Sequence, residues 1–146
     1  MEMALAEARA AAARGEVPVG AVVTGADGAV LARAGNEVEA RRDPSAHAEV
    51  LALRAAAAAA GEKVLPEATL WVTLEPCAMC AAATSFFRVR RVVFGAYDPK
   101  GGAVEHGPRF FAQPTCHHAP EVIGGVREGE AAELLRLFFG ALRQGR

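Results

Sequence analysis

From the amino end onward, the spacing of apolar and polar positions changes several times, and each change marks an element. Glu2 to Arg14 is Ala-rich, with Leu5 among scattered charges, and Gly15 follows it. Alanine loses no side-chain entropy in a helix, so this stretch predicts a helix that the glycine stops. VPVGAVVTGADGAVLARAGN then alternates apolar runs with a Gly-Ala-Asp-Gly break at Gly25 to Gly28, which predicts two strands joined by a tight turn.

Asp43-Pro44 has the form of a helix start, an acidic N-cap followed by a proline at the first helical position. Ser45 to Ala60 continues in strong helix formers until Gly61. ATLWVTL, Ala68 to Leu74, is a short β-type run. Glu75-Pro76 repeats the acid-plus-proline device and predicts a second such helix from Cys77 to about Phe86, followed by the strand RRVVFGA.

Strands separated by helices of this length require crossover connections, whereas the first two strands form a hairpin. The expected class is therefore α/β in three layers: a mixed β-sheet of about five strands with helices on both faces. Residues 97–125 are rich in Gly, Pro and His and too long for a passive connector, so they are expected to line a site or an interface. The closing stretch EAAELLRLFFGALR puts Leu134, Leu137, Phe138 and Ala141 on one helical stripe, expected to pack on the sheet.

Composition narrows this picture without changing it. The chain has 146 residues, 52% hydrophobic and 23% charged, which suits one folded domain and excludes a disordered or fibrous protein. No apolar stretch reaches the roughly 18 to 20 residues of a membrane span, so a soluble, cytoplasmic protein with no membrane partner is expected. A net charge of −1 leaves no global basic footprint, so any nucleic acid must meet a local positive surface. The three cysteines, Cys77, Cys80 and Cys116, fit a metal or redox role better than a disulfide framework.

PCAMC places Cys77 and Cys80 at i and i+3 near a helix start, where backbone N–H groups favour thiolates. Alone, such a pair is ambiguous between zinc, a redox dithiol and no function. A redox pair is expected after the first strand of a thioredoxin-like unit, and this one follows three strands and two helices. A structural zinc site needs four ligands, which Cys116 with His106, His117 or His118 could complete.

A catalytic site needs three ligands and an open position, and His47 supplies the third from another helix start. Glu49 then has a task that the structural reading cannot give it, carrying a proton between water and substrate. Singly, His47 and Glu49 read as ordinary helix-start residues. Joined to P-C-x-x-C about thirty residues on, with a strand between, they form the zinc-deaminase signature H-x-E…P-C-x-x-C.

With these residues in place, the chain resembles the cytidine-deaminase-like superfamily, and more closely the bacterial tRNA-specific adenosine deaminases. EVPVGAVV, Gly35-Asn36, DPSAHAE, TLWVTLEPCAMC, RVVFGAYDPKGGA and LLRLFF lie in that family's order across almost the whole chain. The resemblance implies one zinc-dependent deaminase domain over residues 1–146. One Zn²⁺ would be held by His47, Cys77 and Cys80, with Glu49 as the catalytic proton shuttle. It also implies that Asn36 hydrogen-bonds a flipped base, that Val19 walls it, and that the Ala48 and Cys77 backbone N–H groups and Pro76 meet the substrate.

The implied reaction is hydrolytic deamination of adenosine to inosine at the wobble position of a tRNA anticodon loop. The implied partners are that stem-loop and a second copy of the chain, as a homodimer. One departure stands out: Phe86-Phe87 occupy a place where many members carry a His or an Arg. Together with the missing basic footprint, it motivates an alternative substrate, a free nucleobase or nucleoside such as guanine or cytosine. A third reading is non-catalytic, a zinc-stapled module closed by Cys116 or a loop histidine.

Overall fold

The computed structural model describes residues 1–145. In chain order the elements are α1 (Glu2–Ala13), β1 (Gly20–Thr24), β2 (Val30–Gly35), α2 (Val38–Arg41), α3 (Ala48–Ala60), β3 (Thr69–Leu74), α4 (Ala78–Phe86), β4 (Arg91–Ala96), β5 (Glu121–Ile123) and α5 (Glu128–Gln144). A 3₁₀ turn, Phe110–Ala112, lies between β4 and β5.

The strands form one sheet in the order β2-β1-β3-β4-β5. β1 pairs antiparallel with both β2 and β3, whereas β3–β4 and β4–β5 are parallel, so the sheet is mixed as expected. Ala21 and Val23 of β1 point into the main core with Leu53 of α3, Leu70, Val72, Val92 and Phe94. The alternate positions face α1: a Cβ at Gly20 would stand 2.0 Å from the Ala4 carbonyl oxygen. The alanines of α1 thus do more than favour a helix. Ala4, Ala8 and Ala11 are buried and let its backbone settle directly on the strands.

α5 approaches the sheet on the α1 face, with Ala131 3.0 Å from the Cβ position of Gly95, and α3 and α4 cover the opposite face. The three-layer α/β class therefore holds. Parallel strands bring ligands to their carboxyl ends. Here that end gathers Glu75 to Cys77 after β3, Tyr97 and Asp98 after β4, Val19 before β1 and Asn36 after β2.

Several expectations change in detail. The two helices with acid-plus-proline starts begin later, at Ala48 and Ala78, with His47 and Cys77 as extended N-cap residues. Asp43 does not cap α3. Its Oδ1 accepts from the Ser45 N–H and hydroxyl at 2.9 and 2.7 Å, and the chain makes a further turn before the helix. Glu75 does not cap α4 either, because its carboxylate turns towards the 98–106 loop. The strand Glu121–Ile123 and the four-residue α2 carry too few residues for a periodic signal. The stripe assigned to α5 is only partly buried: Leu137 is 54% exposed and Ala141 is exposed, because the second half of the helix overhangs the end of the sheet.

Candidate metal centre and active site

His47 and Cys77 stand at the N-caps of α3 and α4, and Cys80 lies one turn into α4. Both helices present their N-terminal ends to the metal donors, a partial positive field that favours thiolates and other anions. His47 Nδ1 is 3.7 Å from Cys77 Sγ and 3.5 Å from Cys80 Sγ. Two ligands on a tetrahedral zinc at ordinary Zn–S and Zn–N lengths stand about 3.6 Å apart, so the donors are spaced as the edges of that tetrahedron. With Nδ1 turned to the sulfurs, the ring's other nitrogen carries the proton when the neutral imidazole acts as a ligand.

The protein groups alone hold their protons unevenly. The Cys80 thiol donates towards Cys77, and this bond, opposed by burial and assisted by His47, pushes the Cys77 thiol down to about 4. Cys80, as the donor and fully buried, is pushed up. His47 is raised, first by its bond to Cys77. A soft cation at this point displaces the remaining thiol proton and satisfies all three donors. Glu49 lies one turn-residue beyond Ala48, 4% exposed, and burial raises its carboxyl to about 7. A carboxyl at that value can both take and give a proton near neutral pH.

A cavity of about 660 Å³ opens over these groups. His47, Glu49, Cys77, Val19 and Asn36 all line it, so the structure brings these sequence-derived residues together. Ala48 and Pro76 are buried and do not line it. The Ala48 N–H donates to Asn36 Oδ1 at 2.8 Å and is not free for a substrate, while the Pro76 carbonyl accepts from the Ala103 N–H. Asn36 Nδ2 donates to the Val17 carbonyl at 3.2 Å, which locks the amide and leaves one Nδ2 hydrogen uncommitted.

A family model for the cytidine and deoxycytidylate deaminase zinc-binding region matches residues 1–96. The tRNA-specific adenosine deaminase of Agrobacterium fabrum is 60% identical over 139 residues, covering 95% of this chain and 91% of that protein. The chain belongs to the zinc-binding cytidine and deoxycytidylate deaminase family. The tRNA-specific adenosine deaminase of Bacillus subtilis is 44% identical to this deaminase over 144 residues, covering 99% of it and 89% of the relative. A solved structure from a study of A-to-I editing by tRNA:A34 deaminases superimposes with a TM-score of 0.90 at 59% identity, covering 92% of this deaminase and 97% of that chain. A guanine deaminase from Nitrosomonas europaea superimposes at 0.81 with 28% identity, covering 95% and 82%.

Zinc is the deaminase's cofactor, and His47, Cys77 and Cys80 are positioned to bind it. Among the described residues they are the sole group of three such donors placed to hold a metal. The zinc-stapled reading lacks its fourth ligand: Cys116 Sγ lies 3.6 Å from Ser85 Oγ, His118 Nε2 is bonded to the Val89 carbonyl, and His106 is bonded to Glu75. Sequence reasoning missed two groups of residues. Phe138, Phe139 and Leu142 line the cavity from the overhang of α5, a position no periodicity encodes. Glu16 and Glu75 also line it, each 1% exposed; Glu16 accepts from the Glu39 and Ala40 N–H groups and so holds α2 at the rim. A carboxylate directly before VPVG or PC offers no local signal of burial.

Proposed function

We propose that this deaminase converts the wobble adenosine of a tRNA anticodon loop to inosine, releasing ammonia, with His47, Cys77 and Cys80 holding zinc and Glu49 moving the protons. The observation that carries it is an intact donor set and buried Glu49 on one cavity, in a chain 60% identical to a tRNA-specific adenosine deaminase along nearly its whole length. Zinc, when bound, acts as a Lewis acid that lowers the pKa of water towards neutrality. Glu49 then takes the proton from water, delivers it to the ring nitrogen beside C6, and assists the departure of the amine. Asn36 offers its uncommitted Nδ2 hydrogen to the base edge. Val19, Phe138, Phe139 and Leu142 give the base apolar faces to rest on. A cavity of this size takes one base swung out of its stack rather than a paired one.

The finer assignments belong to the same proposal. Met79 and Phe86 of α4 are seven residues apart, on one face, and 37% and 71% exposed, which supports a second copy of the chain as the partner that covers them. Among the described residues no helix is long and apolar enough to cross a membrane, consistent with work on tRNA in the cytoplasm.

Incubating the zinc-loaded protein with an unmodified tRNA bearing A at the wobble position is expected to yield inosine on sequencing; its absence overturns the proposal. The second reading, a free-base substrate, has behind it a likeness of 28% identity to the guanine deaminase, against 60% to the tRNA-specific adenosine deaminase, and is not favoured. A panel of free bases and nucleosides assayed for ammonia release decides between them.

A further inference from the structure

Glu75 is not among the metal donors, yet it is the most heavily bonded carboxylate lining the cavity. Its side chain is fully buried. Oε1 accepts from the Asp98 N–H at 3.0 Å and from His106 Nδ1 at 2.8 Å. Oε2 accepts from the N–H groups of Val104, Glu105 and His106 at 3.2, 2.9 and 3.1 Å. The loop is pressed onto this carboxylate so closely that a Cβ at Gly102 would stand 2.5 Å from it. On the strand side, the Glu75 N–H donates to the Ala96 carbonyl at 2.8 Å, and the next residue's carbonyl accepts from Ala103. Two residues after Glu75 comes Cys77, while Asp98 and Gly101 of the clasped loop line the cavity opposite Val19 and Asn36.

We infer that Glu75 is a positioning residue for substrate binding, whose buried carboxylate sets the Asp98–Gly101 wall in register with the Cys77 end of the metal site. The physical reason is that a buried carboxylate without donors is costly, so the loop cannot leave without stranding the charge. The wall is therefore ordered before the substrate arrives, and its ordering does not subtract from binding. His106 adds a side-chain tie where the other bonds are to backbone. The inference rests on the proposed RNA substrate only for the choice of ligand.

The test compares Glu75→Gln with wild type, both zinc-loaded. The amide would present an NH₂ to N–H donors and release part of the clasp. On an anticodon stem-loop the expected result is a KM raised at least about tenfold with kcat within about threefold and zinc unchanged. In the inactive Glu49→Ala background, fluorescence anisotropy should show a matching rise in Kd for the RNA. Amide hydrogen exchange in residues 97–107 should quicken. Gly102→Ala, which leaves Glu75 in place but displaces the loop, should reproduce the KM rise.

Trp71→Phe serves as the control for a general loss of stability, since it removes the indole bond to Thr24 and part of the ring on the sheet without touching the cavity lining. If Glu75→Gln loses melting temperature as Trp71→Phe does and leaves KM and Kd unchanged, the carboxylate is a fold determinant and the inference falls. It also falls if kcat drops together with zinc content, which would place the effect on the metal helix. Should wild type fail on the RNA, the functional reading fails alone. The same KM comparison, on whichever base the panel identifies, then decides the clasp.

Discussion

At the scale of single residues, the division of labour at the site gives separable outcomes. Glu49→Ala is expected to keep one zinc per chain while turnover falls by at least about a hundredfold, the usual worth of general acid–base catalysis. Metal analysis beside the inosine assay checks both halves. Cys80→Ser is expected to lose zinc, because a hydroxyl is a poor soft donor. Cys80 holds its proton tightly in the protein, so zinc binding by wild type should release it. Calorimetric titration in two buffers of different ionisation enthalpy counts that proton, and zinc affinity should weaken as pH falls.

His47, Glu49, Cys77 and Cys80 were legible in the sequence because ligand chemistry restricts both residue type and spacing. Asn36 and Val19 came only with the resemblance, and the cavity brings them to the metal donors. Ala48 and Pro76 did not reach the cavity: the Ala48 N–H is spent on orienting Asn36, and the Pro76 carbonyl ties down Ala103. A motif shows which residues travel together but not which of their atoms remain free.

At the scale of elements, the first four strands and the helices α1, α3, α4 and α5 were legible from period, propensity and stop signals, while the short β5 and α2 and the helix starts and surroundings were not. Asp43-Pro44 and Glu75-Pro76 looked like caps, yet both helices begin with a metal-donor side chain on extended backbone. A ligand must project from the helix end towards the metal, and this displaces the cap by several residues. The packing of α1 on β1 supplies a direct test. Gly20→Ala forces a Cβ against the backbone of α1 and is expected to cost about 3 kcal/mol or more. Urea unfolding would show it as a lower midpoint with an unchanged slope.

At the scale of the whole molecule, two buried glutamates make stability depend on pH in opposite senses. For Glu75, burial raises the carboxyl, but the bonds from Asp98, His106, Glu105 and Val104 outweigh it and lower the value below 4.5. Its contribution is present above the unfolded value and is lost as pH falls through the folded one. For Glu49 burial dominates and raises the value to about 7, so its contribution is full below 4.5 and lost as pH rises through 7. That difference is worth at most about 3 kcal/mol. In chelator-treated protein, Glu49→Gln should therefore raise the melting temperature at pH 8 and change little at pH 4. Glu75→Gln should flatten the loss of stability in acid. Thermal scans across pH 3 to 8 read both.

The sequence by itself determined the fold class, the metal donors and the proposed proton carrier, because each depends on period or on spacing within a short stretch. Only the tertiary structure decided what closes around them: the overhanging end of α5 with Phe138, Phe139 and Leu142, the clasp of Glu75 on a loop 23 to 31 residues away, and the grip of Glu16 on α2. Those depend on which buried charge meets which backbone donors. Burial is a property of the assembled layers, and no local pattern of residues carries it.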